Sequence, residues 1–102
     1  MNGSELVIHR VGPGTEEVIL TTDDIIEAPN WTPGGKTLIV NGDGLLFRVS
    51  LDAPGLDLID TGFANRLNND HGLSPDGQRL AISDKTEEGE SCIYLLPAEG
   101  GR

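Results

Sequence analysis

One hundred and two residues suit one small domain, yet hydrophobic residues are only 36% of them and aromatics 4%, so the chain needs neighbours to complete a core. Seven Lys plus Arg against seventeen Asp plus Glu give a formal net charge of −10, a field that repels phosphate backbones and anionic lipid and excludes nucleic acid and membrane as partners. The acid is spread along the chain, apart from Glu87-Glu88-Gly89-Glu90, and reads as solubility rather than as a docking face.

Fourteen Gly and six Pro fall at regular breaks between short apolar runs, the pattern of many short strands joined by tight turns. The first segment, Met1-Asn2-Gly3-Ser4-Glu5, has no basic region leading into an apolar stretch, and no run approaches bilayer length. A cytoplasmic location is expected, or a periplasmic one if a signal sequence has been removed. Residues 1–22 then read as two strands, Leu6-Val7-Ile8-His9 and Glu17-Val18-Ile19-Leu20, around the turn Gly12-Pro13-Gly14. His9 has no acidic neighbour nearby in sequence and is expected at the surface or in packing. An acidic connection follows, with Asp23, Asp24 and Glu27.

The next unit, 28–62, reads as strand A at 28–32, strand B at 36–41, strand C at 44–51 and strand D at 57–60. Its A–B turn, in Trp31-Thr32-Pro33-Gly34-Gly35-Lys36, returns forty-two positions later as Leu73-Ser74-Pro75-Asp76-Gly77-Gln78. Pro33 and Pro75 preset φ at the first turn position, and Gly35 and Gly77 supply a positive φ. The last unit, 68–102, repeats A at 70–74, B at 78–83 and C at 91–96, but the chain stops at Glu99-Gly100-Gly101-Arg102 where a fourth strand is due. Equivalent C strands lie 40 and then 47 residues apart, because 84–90 lengthens the last B–C connection.

A hairpin written twice at a period near forty predicts an all-β chain of β-propeller blades, each a four-stranded antiparallel sheet. The B strands Leu38-Ile39-Val40 and Leu80-Ala81-Ile82 are apolar on both faces, as a blade between two others requires. A two-sheet sandwich would not need the same turn sequence twice. The chain reads as a single partial propeller of about two blades over 1–102, completed by oligomerisation.

The strings Asn30-Trp31-Thr32-Pro33-Gly34-Gly35-Lys36 and His71-Gly72-Leu73-Ser74-Pro75-Asp76-Gly77 resemble the WD40-like Ser-Pro-Asp-Gly repeat of TolB-like six-bladed β-propellers. Gly34 stands where that family has Asp, which removes a side-chain cap and keeps the turn. The resemblance implies a ring of about six blades. It also places the start of strand A, and so Asp70 and His71, at the central channel. Two blades alone leave apolar faces and an open sheet edge in water, so a homo-oligomer is expected, a trimer favoured over a dimer or tetramer.

The most polar segment is Asn65-Arg66-Leu67-Asn68-Asn69-Asp70-His71, and Asn69, Asp70 and His71 are the candidate ligand or metal residues at the channel mouth. Imidazoles from several chains, with Asp70 as ligand or acceptor, would suit a divalent metal or an anion. The competing reading has Asn and Asp capping turns and His71 as a hydrogen-bonded spacer; no cofactor is otherwise predicted. Asn41-Gly42-Asp43-Gly44 looks like half a calcium loop, but Leu45 to Leu51 lacks the Glu that would complete it, and a hairpin turn accounts for it. Trp31 reads as a packing residue, and Cys92, the single cysteine, as a buried structural thiol.

No Gly-x-Ser-x-Gly elbow, phosphate-cradling loop or zinc-protease helix occurs. The first functional expectation is therefore a non-catalytic module that self-assembles into a ring and offers a scaffold to a protein or small ligand. The alternatives are the propeller part of a metal-dependent lyase or hydrolase, and a designed or excised fragment whose one property is assembly.

Overall fold

Short runs of two to seven residues, bounded by turn residues and most of them rich in β-branched and aliphatic side chains, pair as antiparallel strands. The computed structural model describes residues 3–9, 16–62, 64–86 and 90–100. The expected turn at Gly12-Pro13-Gly14, residues 87–89 of the 84–90 insertion and the terminal Gly101-Arg102 lie outside the described residues. Nine strands run in chain order: β1 (Ser4–His9), β2 (Glu16–Thr22), β3 (Glu27–Trp31), β4 (Thr37–Gly42), β5 (Leu45–Ser50), β6 (Asp57–Leu58), β7 (Leu67–Leu73), β8 (Arg79–Asp84) and β9 (Cys92–Pro97). They form, among the described residues, a two-stranded sheet β1-β2, a four-stranded sheet β3-β4-β5-β6 and a three-stranded sheet β7-β8-β9. This is an all-β partial propeller with one full blade between two incomplete ones.

The strand bounds depart from the sequence reading in two instructive places. Strand β6 is regular only over Asp57–Leu58; the buried Ile59, 2% exposed, still adds one ladder bond from its N–H to the Leu46 carbonyl at 2.9 Å before the chain leaves the sheet. Strand β7 starts at Leu67, earlier than expected, because Leu67 pairs with Asp84 and the chain then bulges before His71 pairs with Ile82.

The middle sheet is apolar on both faces, as its B strand foretold. Leu38, Val40 and Val49 face β1-β2 and bury with Leu6; Ile39 and Leu46 face β7-β8-β9 and bury with Leu67, Leu80, Ile82 and Leu96. Each such side chain contributes roughly 1.5–3 kcal/mol when fully buried, so sheet stacking rather than any single ladder holds the molecule together. Cys92 departs from expectation: at the start of β9 it is partly exposed rather than buried. Among the described residues no helix is long and apolar enough to cross a membrane.

The two copies of the repeated turn keep the same bond and differ in backbone. Gly77 N–H donates to the Ser74 carbonyl at 2.8 Å, and Gly35 N–H to the Thr32 carbonyl at 3.2 Å. In the second copy Asp76 has a negative φ and is held by its side chain: the Ser74 hydroxyl donates to Asp76 Oδ1 at 2.6 Å and the Gln78 N–H at 3.0 Å. Those two bonds, the hydroxyl's first, hold the exposed Asp76 carboxyl below its usual range. In the first copy Gly34 takes φ +94°, so losing Asp is met by a type II-like turn that needs glycine at that position.

The turns also stack between blades. A Cβ on Gly77 would lie 2.7 and 2.8 Å from Cγ and Cδ of Pro33, and its φ of +74° already favours glycine. Gly77→Ala is therefore expected to lower unfolding free energy by about 1–3 kcal/mol, read from urea denaturation. A change within a few tenths of a kcal/mol would show that the Pro33 contact yields freely.

Candidate functional site

The inner strands β3 and β7 both bulge near their starts, between Glu27 and Asn30 and between Leu67 and His71. In β3 the bulge holds Ala28 at φ 52°, left-handed backbone that a side chain rarely adopts. The bulges bring polar side chains from adjoining sheets together: Asn30 from β3, Asn41 from the end of β4, and Asn69 and His71 from β7.

The hydrogen bonds among these four residues fix one another. The Asn30 amide nitrogen lies 3.0 Å from the His71 backbone carbonyl and 3.0 Å from His71 Nδ1. A carbonyl can only accept, so that nitrogen is the donor, and Nδ1 must accept its second hydrogen. The ring proton then sits on Nε2, which donates to Asn41 Oδ1 at 3.2 Å. Asn41 in turn donates from Nδ2 to Asn69 Oδ1 at 2.8 Å. The chain of donors closes with His71 neutral. Burial pushes the His71 pKa below its ordinary value, and the negative charge of Asp70 opposes that shift.

Of the expected site residues, the structure brings Asn69 and His71 into this network and leaves Asp70 exposed, its N–H bonded to Asn68 Oδ1 at 2.9 Å. Both ring nitrogens of His71 are taken, so a metal on either would have to displace Asn30 or Asn41. Among the described residues no group of three His, Cys, Asp or Glu side chains is placed to share an ion.

The acidic connection 23–27 divides. Glu27 pairs with Asn41 across β3 and β4, next to the network, whereas Asp23 and Asp24 border a different cleft of about 420 Å³ with Asp43, Ile26 and Phe47. Asp43 belongs to the β4–β5 hairpin: Asp43 at φ 51° and Gly44 at φ 79° make a type I′ turn, the hairpin expected in place of a calcium loop. Trp31 lies beside Val7, His9 and Pro29 at the boundary of the first two sheets and is only half covered there, 48% exposed. His9 is at the surface, 3.7 Å from Glu16, a neighbour created by strand pairing and worth little in water.

Sequence reasoning missed Asn30, Asn41 and the fully buried Asp84. One signal was available for Asn41. It ends the apolar run Leu38-Ile39-Val40, and a polar side chain 3% exposed has to find a partner.

No protein-family model matches the chain. An uncharacterized protein of Agrobacterium fabrum is 50% identical over 99 residues, which is 96% of this chain and 34% of that protein. A solved chain from Agrobacterium tumefaciens, described as a candidate TolB, is 55% identical and superposes with a TM-score of 0.83 over 85% of this chain and 32% of its own length. The fold is TolB-like. The chain spans about a third of the length of both relatives.

Proposed function

We propose that this chain is a segment of a ring-forming propeller that serves as a non-catalytic binding scaffold, and that copies of it associate head to tail, with a trimer supplying about six blades. The observation that carries this reading is the unlikeness of its two open faces. On the third sheet, Ile93 and Leu95 of β9 are 68% and 67% exposed, and pair with Ser83 and Ala81. The repeat places Ala81, Ser83 and Ile93 where the middle sheet has Ile39, Asn41 and Leu46, all buried beneath the next sheet. That face therefore has the pattern of one covered by a following blade. At the other end, Val7 and Val18 pair on the outer face of β1-β2, where the middle sheet has Phe47 and Leu58, the face turned to a preceding blade. Unlike faces suit a heterologous contact that closes into a ring, not a two-fold dimer. The charge of −10 keeps polyanions from competing for the channel.

The one-third coverage of both relatives favours a second reading, in which blades of one longer chain cover these faces. Solution mass separates the two. The 102-residue protein is expected to run as a trimer, and Leu95→Lys, which puts a charge on the uncovered face, to reduce it to monomer. A folded, monodisperse monomer of the unaltered chain would overturn self-assembly and leave the second reading.

A further inference from the structure

We propose that His71 is a proton-operated latch between the second and third sheets: neutral, it ties Asn30 and Asn41 to β7, and protonated, it releases Asn30 while keeping Asn41. The network of Asn30, His71, Asn41 and Asn69 crosses the sheet boundary, and its direction is dictated from one end. Because the His71 carbonyl can only accept, the Asn30 amide presents N–H₂ to the ring, and Nδ1 keeps its lone pair only while the ring is neutral. A proton added at Nδ1 would meet that N–H₂ head on, donor against donor. Relief requires the Asn30 amide to turn over, and its nitrogen then abandons the His71 carbonyl. On the other side the Nε2–H to Asn41 bond survives in either state, so release begins at Asn30.

The surroundings of the ring set the direction of the response. Asp70, on the same strand, favours the cation; β3 and β4 offer the neutral amides of Asn30 and Asn41; and β8 places the apolar Ile82 opposite. Glu27, the carboxylate of β3, is exposed and paired with Asn41 rather than with β7. Desolvation outweighs Asp70, so the folded chain holds its proton less tightly than the unfolded one. The latch is then closed above the ordinary imidazole range of about 6.5, and its contribution is lost as the pH falls through the lower folded value.

The boundary carries its own reporter. The Leu67 N–H donates across it to the Gly44 carbonyl at 3.0 Å, whereas the Ile59 N–H bonds to Leu46 at 2.9 Å within the middle sheet. In the 102-residue protein, ring ¹⁵N spectra at pH 7.5 are expected to show the Nε2–H tautomer of His71. Between pH 7 and pH 5 the protection factor of the Leu67 amide, corrected for intrinsic exchange, should fall about tenfold relative to that of Ile59, the scale of one lost hydrogen bond. His71→Gln should flatten that dependence, and Asn30→Ala, which removes the opposing donor, should let the ring take its proton at higher pH. A Nδ1–H tautomer, a Leu67 protection factor that does not fall relative to Ile59 between pH 7 and pH 5, a Leu67 response that persists in His71→Gln, or an unchanged titration in Asn30→Ala would each overturn the latch. The tautomer and the Leu67 profile need no variant, so the proposal stays exposed to failure even if a substitution prevents folding.

Discussion

Asp84→Ala is expected to cost about 2–4 kcal/mol of unfolding free energy, a large part of the 5–15 kcal/mol typical of a domain. Asp84 closes β8 with its side chain fully buried, and both carboxylate oxygens are in use. Oδ1 accepts from the Arg66 N–H at 2.8 Å and from the Thr86 hydroxyl at 3.0 Å; Oδ2 accepts from the Thr86 N–H at 2.9 Å. Alanine would strand two backbone donors at once. The Thr86 hydroxyl is spared, because Asn65 Oδ1 waits at 3.1 Å as a second acceptor. Asp84→Asn divides the effect: its oxygen can still serve Arg66, but its amide meets the Thr86 N–H as donor against donor, so about half the loss is expected. Urea denaturation of both variants checks the order. Equal small losses would show that water reaches the site and replaces the carboxylate.

Asp84 also shows where the sequence stops being readable. The repeat that located the turns aligns Asp84 with Gly42, and the two residues meet one requirement in opposite ways. At Gly42 the connection from the first sheet passes so close that a Cβ would lie 2.4 Å from the Ile25 carbonyl oxygen. At Asp84 the corresponding connection is instead held by the side chain, which accepts the Arg66 N–H at 2.8 Å. The turn chemistry was legible because it is local: Pro and Gly act on their own φ angles, and Ser74 and Asp76 bond within five residues of themselves. Strand periodicity was legible for the same reason, and so were the all-β fold and the two-faced B strand. The polar network was not, because Asn30 to His71 and Asn41 to Asn69 span 41 and 28 residues and exist only once adjacent sheets face each other. Asn69, Asp70 and His71 were singled out by local polarity and by the resemblance that placed the start of strand A at a channel; neither signal could tell that Asn69 and His71 join the network while Asp70 stays outside it.

Leu80→Ala is the second large loss, about 3–5 kcal/mol, and it is informative beside Leu38→Ala at the same position of the preceding repeat. Both leucines lie on B strands and point to the preceding sheet. Leu80 is 0% exposed in a cluster with Ile39, Leu46, Ile59, Ala64, Leu67, Ile82 and Leu96, drawn from a complete blade and the strands facing it. Leu38, 4% exposed, has a smaller buried group of Leu6, Val40 and Val49, edged by partly exposed residues. A cavity walled by fully buried neighbours on two sheets has little freedom to collapse, whereas side chains at a half-open boundary can move inward and recover contact. In the monomeric Leu95→Lys background, where no second copy covers the first sheet, Leu80→Ala should therefore destabilise by at least 1 kcal/mol more than Leu38→Ala in thermal or urea unfolding, though the same atoms are removed. Equal losses would mean that both boundaries are filled alike even in the single chain. The pair of leucines thus reads the packing at one end of the stack against the packing at its centre.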